Sequence, residues 1–287
     1  MGATPSPTPT PRVPTPTPTP VVPTPTPTPT ATPVPLSCNQ GGATIPLGPS
    51  LAPFAVLAGS AVTNVGNTIV TFTTGAVTGG VDDDLIGVWP GTAVTGFYPP
   101  GTDTDGTTAI YAAGFNPNTA VPQTAQGALT TAYNTVAGRA TSATVAGDLS
   151  QASVPGHPTG TLPPGVYKST SSLSIAAGNL TLDGGGNPQS VFIFQMASTL
   201  TTTSIGGTSG NVVLVNGASA CNVYWQVGSS ATLGGATFYG NVLAFASITI
   251  NAPTFTGRAL AGGSALGNGA VSIPVAGGSL ITNPGGS

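Results

Sequence analysis

The chain has 287 residues, of which only 4% are charged, and a formal net charge of -3 at pH 7. Soluble domains carry roughly 25% charged residues, so this surface must be covered by Thr, Ser, Asn and Gly instead of ions. Arg12, Arg139, Lys168 and Arg258 are scattered along the chain and form no footprint for phosphate backbones, which argues against nucleic acid as a partner. No apolar run approaches the ~18 residues of a bilayer span, so no membrane insertion is expected.

Residues 1–37 form the first segment. From Pro5 to Pro35 the sequence is a near-continuous Pro-Thr alternation, which fixes φ and removes the backbone donor at about every second residue. Helix and sheet are both excluded, leaving an extended polyproline-II-like arm, ~3.1 Å per residue and about 100 Å long if fully extended. The same composition is that of O-glycosylated stalks, so attached glycans are expected on its Thr hydroxyls and the chain is read as extracellular or surface-displayed. Met1 leads straight into this tract, so any export signal is expected to have been removed or left out.

Residues 38–287 form the second segment, in which short strand-like runs alternate with Gly, Asn, Ser and Pro, an all-β pattern. The one helical periodicity lies near 119–137, where Ala125, Leu129, Ala132 and Val136 recur at spacings of four, three and four before Gly138. Beyond it the chain falls into coils of three runs each, the signature of a stacked solenoid. One run per coil is bulky on both faces, as in Val191-Phe192-Ile193-Phe194 and Val223-Tyr224-Trp225, so that side needs outside cover, and the helix is expected to supply it.

The next run of each coil alternates cleanly. If Leu173, Ile175, Leu200, Leu233, Ile248, Ile250, Val271 and Ile273 point inward, then Ser172, Ser174, Thr199, Thr201, Thr203, Thr232, Ser247, Thr249, Asn251 and Ser272 point outward. Stacked coils would set these side chains in a flat, uncharged lattice, about 4.8 Å by about 6.6 Å. They form either a contact face for ice or a partner, or a strand face that water simply solvates, since β-branched Thr favours strands in any case.

Several stretches, Phe54-Ala-Val-Leu-Ala-Gly-Ser60, Val88-Trp-Pro-Gly-Thr-Ala-Val-Thr-Gly-Phe97, Leu129-Thr-Thr-Ala-Tyr-Asn134, Pro164-Gly-Val-Tyr-Lys168 and Cys221-Asn-Val-Tyr-Trp-Gln-Val-Gly-Ser-Ser-Ala-Thr-Leu233, resemble the ice-binding protein family from about Gly48 to Thr282. The resemblance implies a mainly β fold, a right-handed three-sided β-solenoid of discontinuous type with one long flanking helix. It also implies ice contact through Thr, Ser and small residues on the flat side away from that helix, without catalysis or cofactor.

Other chemistry is sparse. Asp82, Asp83 and Asp84, with the Asp103-Thr-Asp105 turn, are the candidate oxygen donors for a metal, but the Glu-terminated calcium loop is missing, so no metal is expected. His157 sits between Gly and Pro without the makings of a triad, and Asp148 and Asp183 stand alone beside Gly, so no enzyme is expected. Cys38 and Cys221 either pair, closing a very large loop, or remain a junction residue and a buried thiol.

Two functions follow. The favoured expectation is a structural protein whose arm docks on a neighbouring copy, building an open homo-oligomeric filament by head-to-tail contacts, with free strand edges at the solenoid ends available. The alternative is an ice-binding protein, for antifreeze or ice adhesion, with the arm as spacer.

Overall fold

The computed structural model describes residues 1–3, 47–72, 85–97, 102–103, 110–112, 115–116, 118–202, 209–262 and 269–285. The chain divides into Met1–Thr32 and Pro33–Ser287. The structure described below is that of the second unit. The arm expected over residues 1–37 lies almost wholly outside the described residues, as do Cys38, Asp82, Asp83, Asp84 and Thr203.

Among the described residues every strand pair is parallel, and the strands stack coil upon coil around a three-sided core. The flat side is an eight-stranded sheet. Its runs are two to four residues long, and in several of them the middle residue is turned out, as in Leu173–Ile175, Ala231–Leu233, Ile248–Ile250 and Val271–Ile273, all buried, half-buried, buried. The side covered by the helix runs through Gly165–Ser169, Phe192–Met196 and Val223–Val227, the last two buried throughout. The third side begins as Thr161–Leu162, Leu180–Asp183 and Val212–Val215.

Thr237–Ala244 and Thr254–Ala261 each turn from the third side onto the helix-covered side, and their paired glycines, Gly240 and Gly257, sit at the bend. Gly240 has φ +117°, and a Cβ there would lie 2.7 Å from Trp225 Nε1. Only a glycine can make this corner without displacing the indole.

The solenoid is not stacked in chain order. Phe54–Ala58 pairs with Thr254–Ala261, Ala61–Asn64 with Val271–Ile273, and Ile69–Phe72 with Leu280–Asn283. The N-terminal coils therefore sit on the C-terminal end of the stack. The helix Ala120–Ala137 connects them to the far end, where Ala143–Thr144, Gly147–Asp148 and Thr161–Leu162 form the outermost strands.

Two layers of apolar side chains result. Inside the tube, Tyr167, Phe194, Trp225, Phe238 and Phe255 form a ladder of rings with centroids 5.4, 4.1, 5.3 and 5.9 Å apart. Outside the helix-covered side, Ile193, Tyr224, Leu243, Leu260 and Leu57 pack beneath Ala125, Leu129, Ala132 and Val136 of the helix. The helix thus lies where the two-faced bulk of Val191–Gln195 requires it.

Hydrogen bonds fasten the helix as well. Gln195 Nε2 donates to the Val136 carbonyl at 2.7 Å, Gln226 Nε2 to the Tyr133 hydroxyl at 2.7 Å, and Gln126 Nε2 to the Ala261 carbonyl at 3.2 Å. Burial pushes the Tyr133 hydroxyl above its ordinary pKa, against the smaller opposing effect of the Gln226 bond. Among the described residues no helix is long and apolar enough to cross a membrane.

Candidate functional site

One residue of each flat-side run from Leu173–Ile175 to Ala93–Thr95 projects from the sheet, and the register aligns these residues one above another. Ser174 faces Thr201, Thr201 faces Thr232, and Thr232 faces Thr249. Thr249 then faces Ser272, which faces Thr63 across the junction with the N-terminal coils, and Thr63 faces Thr95. The ladder is unbroken over six steps of ~4.8 Å, about 29 Å.

Thr63 and Thr95 extend the row beyond the residues that the pattern of the later coils marks out. Their signal was present in Ala61-Val62-Thr63-Asn64 and Ala93-Val94-Thr95, the same alternation as in the later coils. Only the stacking of the first coils on the last brings them into one surface.

The hydroxyls divide into two groups. Those of the central row, Ser174, Thr201, Thr232, Thr249, Ser272, Thr63 and Thr95, take part in no side-chain hydrogen bond among the described residues. Those of the neighbouring row are engaged in holding the corner: Thr199 Oγ1 donates to Ser172 Oγ at 2.9 Å, Ser230 Oγ accepts from the Ser247 backbone at 3.3 Å, and Ser247 Oγ accepts from the Ala270 backbone at 3.1 Å. Ser172, Thr199 and Ser247 are thus on the predicted face, but their polar atoms are directed along it. Asn251 sits exposed at the corner following Ile250, with its backbone N–H on the Leu233 carbonyl.

One end of the central row closes on Asp148, which pairs in register with Ser174. Its carboxylate accepts from the backbone N–H groups of Ser150, Ala176 and Ala177 and from the Ser150 hydroxyl. Partial burial pushes its pKa upward, but these hydrogen bonds together outweigh it and leave the carboxyl below its ordinary value. Asp148 is therefore a corner cap, and Asp183 plays a similar part. Its carboxylate is held low by the Gly185 N–H and the Asn216 amide, with His157 adding a smaller electrostatic pull.

Nothing in this surface supplies a nucleophile paired to a base. The central-row hydroxyls have no imidazole or carboxylate partner, and among the described residues no cluster of His, Cys, Asp or Glu is placed to hold a metal. Cys221 is 4% exposed and disulfide-bonded, while Cys38, the other cysteine of the chain, lies outside the described residues. What the central row offers, from Ser174 to Thr95, is an uncharged array of free hydroxyls and Thr methyls at fixed intervals. Such an array suits an extended, regular partner in which many weak contacts repeat, because its order is established by the fold before binding.

The chain is similar to several known proteins. The family model described as "Ice-binding-like" matches residues 56–272. An ice-binding protein of Nostoc sp. (strain HG1) is 39% identical over 233 residues, covering 80% of this chain and 72% of its own. The crystal structure of an ice binding protein from an Antarctic biological consortium is 40% identical, with a TM-score of 0.65 over 84% of this chain and 91% of that one. That of an ice-binding protein from the Antarctic ascomycete Antarctomyces psychrotrophicus is 30% identical, with a TM-score of 0.61 over 83% and 98%. On the family model and these relatives, the chain belongs to the ice-binding-like family.

Proposed function

We propose that this protein is a non-catalytic extracellular ice-binding protein that adsorbs to ice through its flat side. The observation carrying this reading is the in-register row of free hydroxyls from Ser174 to Thr95, which lies on a rigid parallel sheet. Ice presents hydrogen-bonding groups at regular intervals, and free hydroxyls at regular intervals can take places in that lattice while the Thr methyls fill the spaces between. Charges would hold their own disordered hydration, and the row contains none.

The extracellular reading is supported by the disulfide at Cys221, a bond that persists in oxidising compartments, and by the Pro/Thr composition of the arm. The expectation of a filament built by the arm gains nothing from the relatives, whose names concern ice. The arm is better read as a spacer.

Thermal hysteresis and ice-recrystallisation inhibition test the proposal. The chain is expected to be active, to lose most of its activity in Thr201→Tyr, and to keep it when residues 1–35 are deleted. An inactive parent chain, or a Thr201→Tyr variant as active as its parent, overturns the reading. Filaments in electron micrographs that vanish on deletion of the arm would restore the assembly reading.

A further inference from the structure

The hydroxyl row is contributed by two parts of the chain, and they meet at a junction between Ser272 and Thr63. The partners there are more than two hundred positions apart in sequence, so no local turn sets their register. The row stays continuous only if something fixes the height of the first coil on the last.

Arg258 occupies that junction. It lies on Thr254–Ala261, the strand that pairs directly with Phe54–Ala58, and it is fully buried. Its Nε donates to the Ala52 carbonyl at 2.8 Å, its Nη1 to Asn241 Oδ1 at 2.9 Å, and its Nη2 to the Gly285 carbonyl at 3.3 Å. Asn283 Nδ2 adds bonds to the carbonyls of Ala52 at 3.0 Å and Pro53 at 3.2 Å. One guanidinium therefore joins the lead-in to the first coil, a strand of the preceding coil, and the C-terminal segment.

Burying a cation is costly unless its donors are used, and a planar fork fixes the positions of its acceptors relative to one another in a way that a lysine ammonium cannot. Ala52 precedes Phe54–Ala58 by two residues, and that strand leads directly into Ala61–Asn64. Holding the Ala52 carbonyl therefore holds Thr63 at its level in the row.

We propose that Arg258 is a positioning residue for the ice-binding surface, setting the register by which Thr63 and Thr95 join the row. This inference rests on the ice-binding reading above, and the two can fail separately.

The test places Thr63→Tyr and Thr201→Tyr in the full chain and in Arg258→Met, with thermal hysteresis as the readout. In the native background both tyrosines are expected to remove activity. In Arg258→Met the starting activity is lower, Thr63→Tyr causes no further loss, and Thr201→Tyr still removes what remains. A purely structural role would leave the fractional loss from Thr63→Tyr the same in both backgrounds, and that result overturns the proposal.

If neither tyrosine matters in the native chain, the ice-binding reading fails, and amide hydrogen exchange decides the positioning role alone. Exchange at Val65 and Ile69, whose N–H groups bond the Ile273 and Ser279 carbonyls across the junction, is expected to quicken in Arg258→Met while that of Trp225 does not. Uniform or unchanged exchange refutes it. Arg258→Lys keeps the charge without the fork and serves for the same comparisons should the methionine variant not fold.

Discussion

The two rows of hydroxyls on the flat side should separate stability from activity, and the pair Ser247→Ala and Thr232→Tyr puts this to the test. Ser247 Oγ accepts from the Ala270 N–H at 3.1 Å. Truncation to alanine leaves a partly buried donor without that acceptor, which costs about 1 kcal/mol. For a domain of this size the corresponding fall in Tm is about 2–4 °C. The central row is untouched, so ice activity should remain close to that of the parent.

Thr232 is different in every respect. Its hydroxyl bonds to nothing among the described residues and it is half-exposed, so its replacement should change stability by no more than about 0.5 kcal/mol. A tyrosine ring, however, stands well above the level of a threonine methyl. On a rigid row it would hold a flat crystal surface away from Thr201 and Thr249, its register partners on either side. Calorimetry and thermal hysteresis on the same samples should show Ser247→Ala less stable but active, and Thr232→Tyr stable but inactive. The reverse pattern, or equal loss of activity with no change in Tm, refutes the division of labour.

Three further outcomes are expected. Trp225 is fully buried in the ring ladder, 4.1 Å from Phe194 and 5.3 Å from Phe238, so Trp225→Ala should cost about 3–5 kcal/mol in chemical denaturation, and a loss under about 1 kcal/mol would contradict this core packing. Burial pushes the hydroxyls of Tyr167 and Tyr224 up to about 12, the Tyr224 shift being slightly opposed by Arg258. Because the unfolded chain releases these protons near pH 10, their contribution is intact below that pH and is lost as pH rises towards 12. The slope should be about 1.4 kcal/mol per pH unit for each tyrosine, measurable by denaturation at alkaline pH and contradicted by a flat profile. Finally, peptide mapping without reductant should recover Cys221 linked to Cys38, and a free thiol at Cys38 would exclude that pairing.

Much of the fold could be read from residue patterns. Runs such as Ile248-Thr249-Ile250 and Val271-Ser272-Ile273 declare which side chains go inward, because strand geometry alternates with period two whatever the rest of the chain does. The helix could be read from the spacing of Ala125, Leu129, Ala132 and Val136. Its position could be read from the two-faced bulk of Val223-Tyr224-Trp225, which needs cover on both sides. Those inferences depend on neighbours a few residues apart, where periodicity and burial are tightly linked.

The tertiary structure decided the rest. Nothing local says that Ala61–Asn64 stacks on Val271–Ile273, because that contact joins distant parts of the chain, where Arg258 and Asn283 both donate to the Ala52 carbonyl. Nor could composition tell the free hydroxyl of Thr232 from the engaged hydroxyl of Ser247, since the two residues obey the same outward pattern and differ only in what the next coil places beside them. Sequence by itself determined which faces are apolar and which are polar. The stacking of coils determined which polar atoms remain free and how far their row extends.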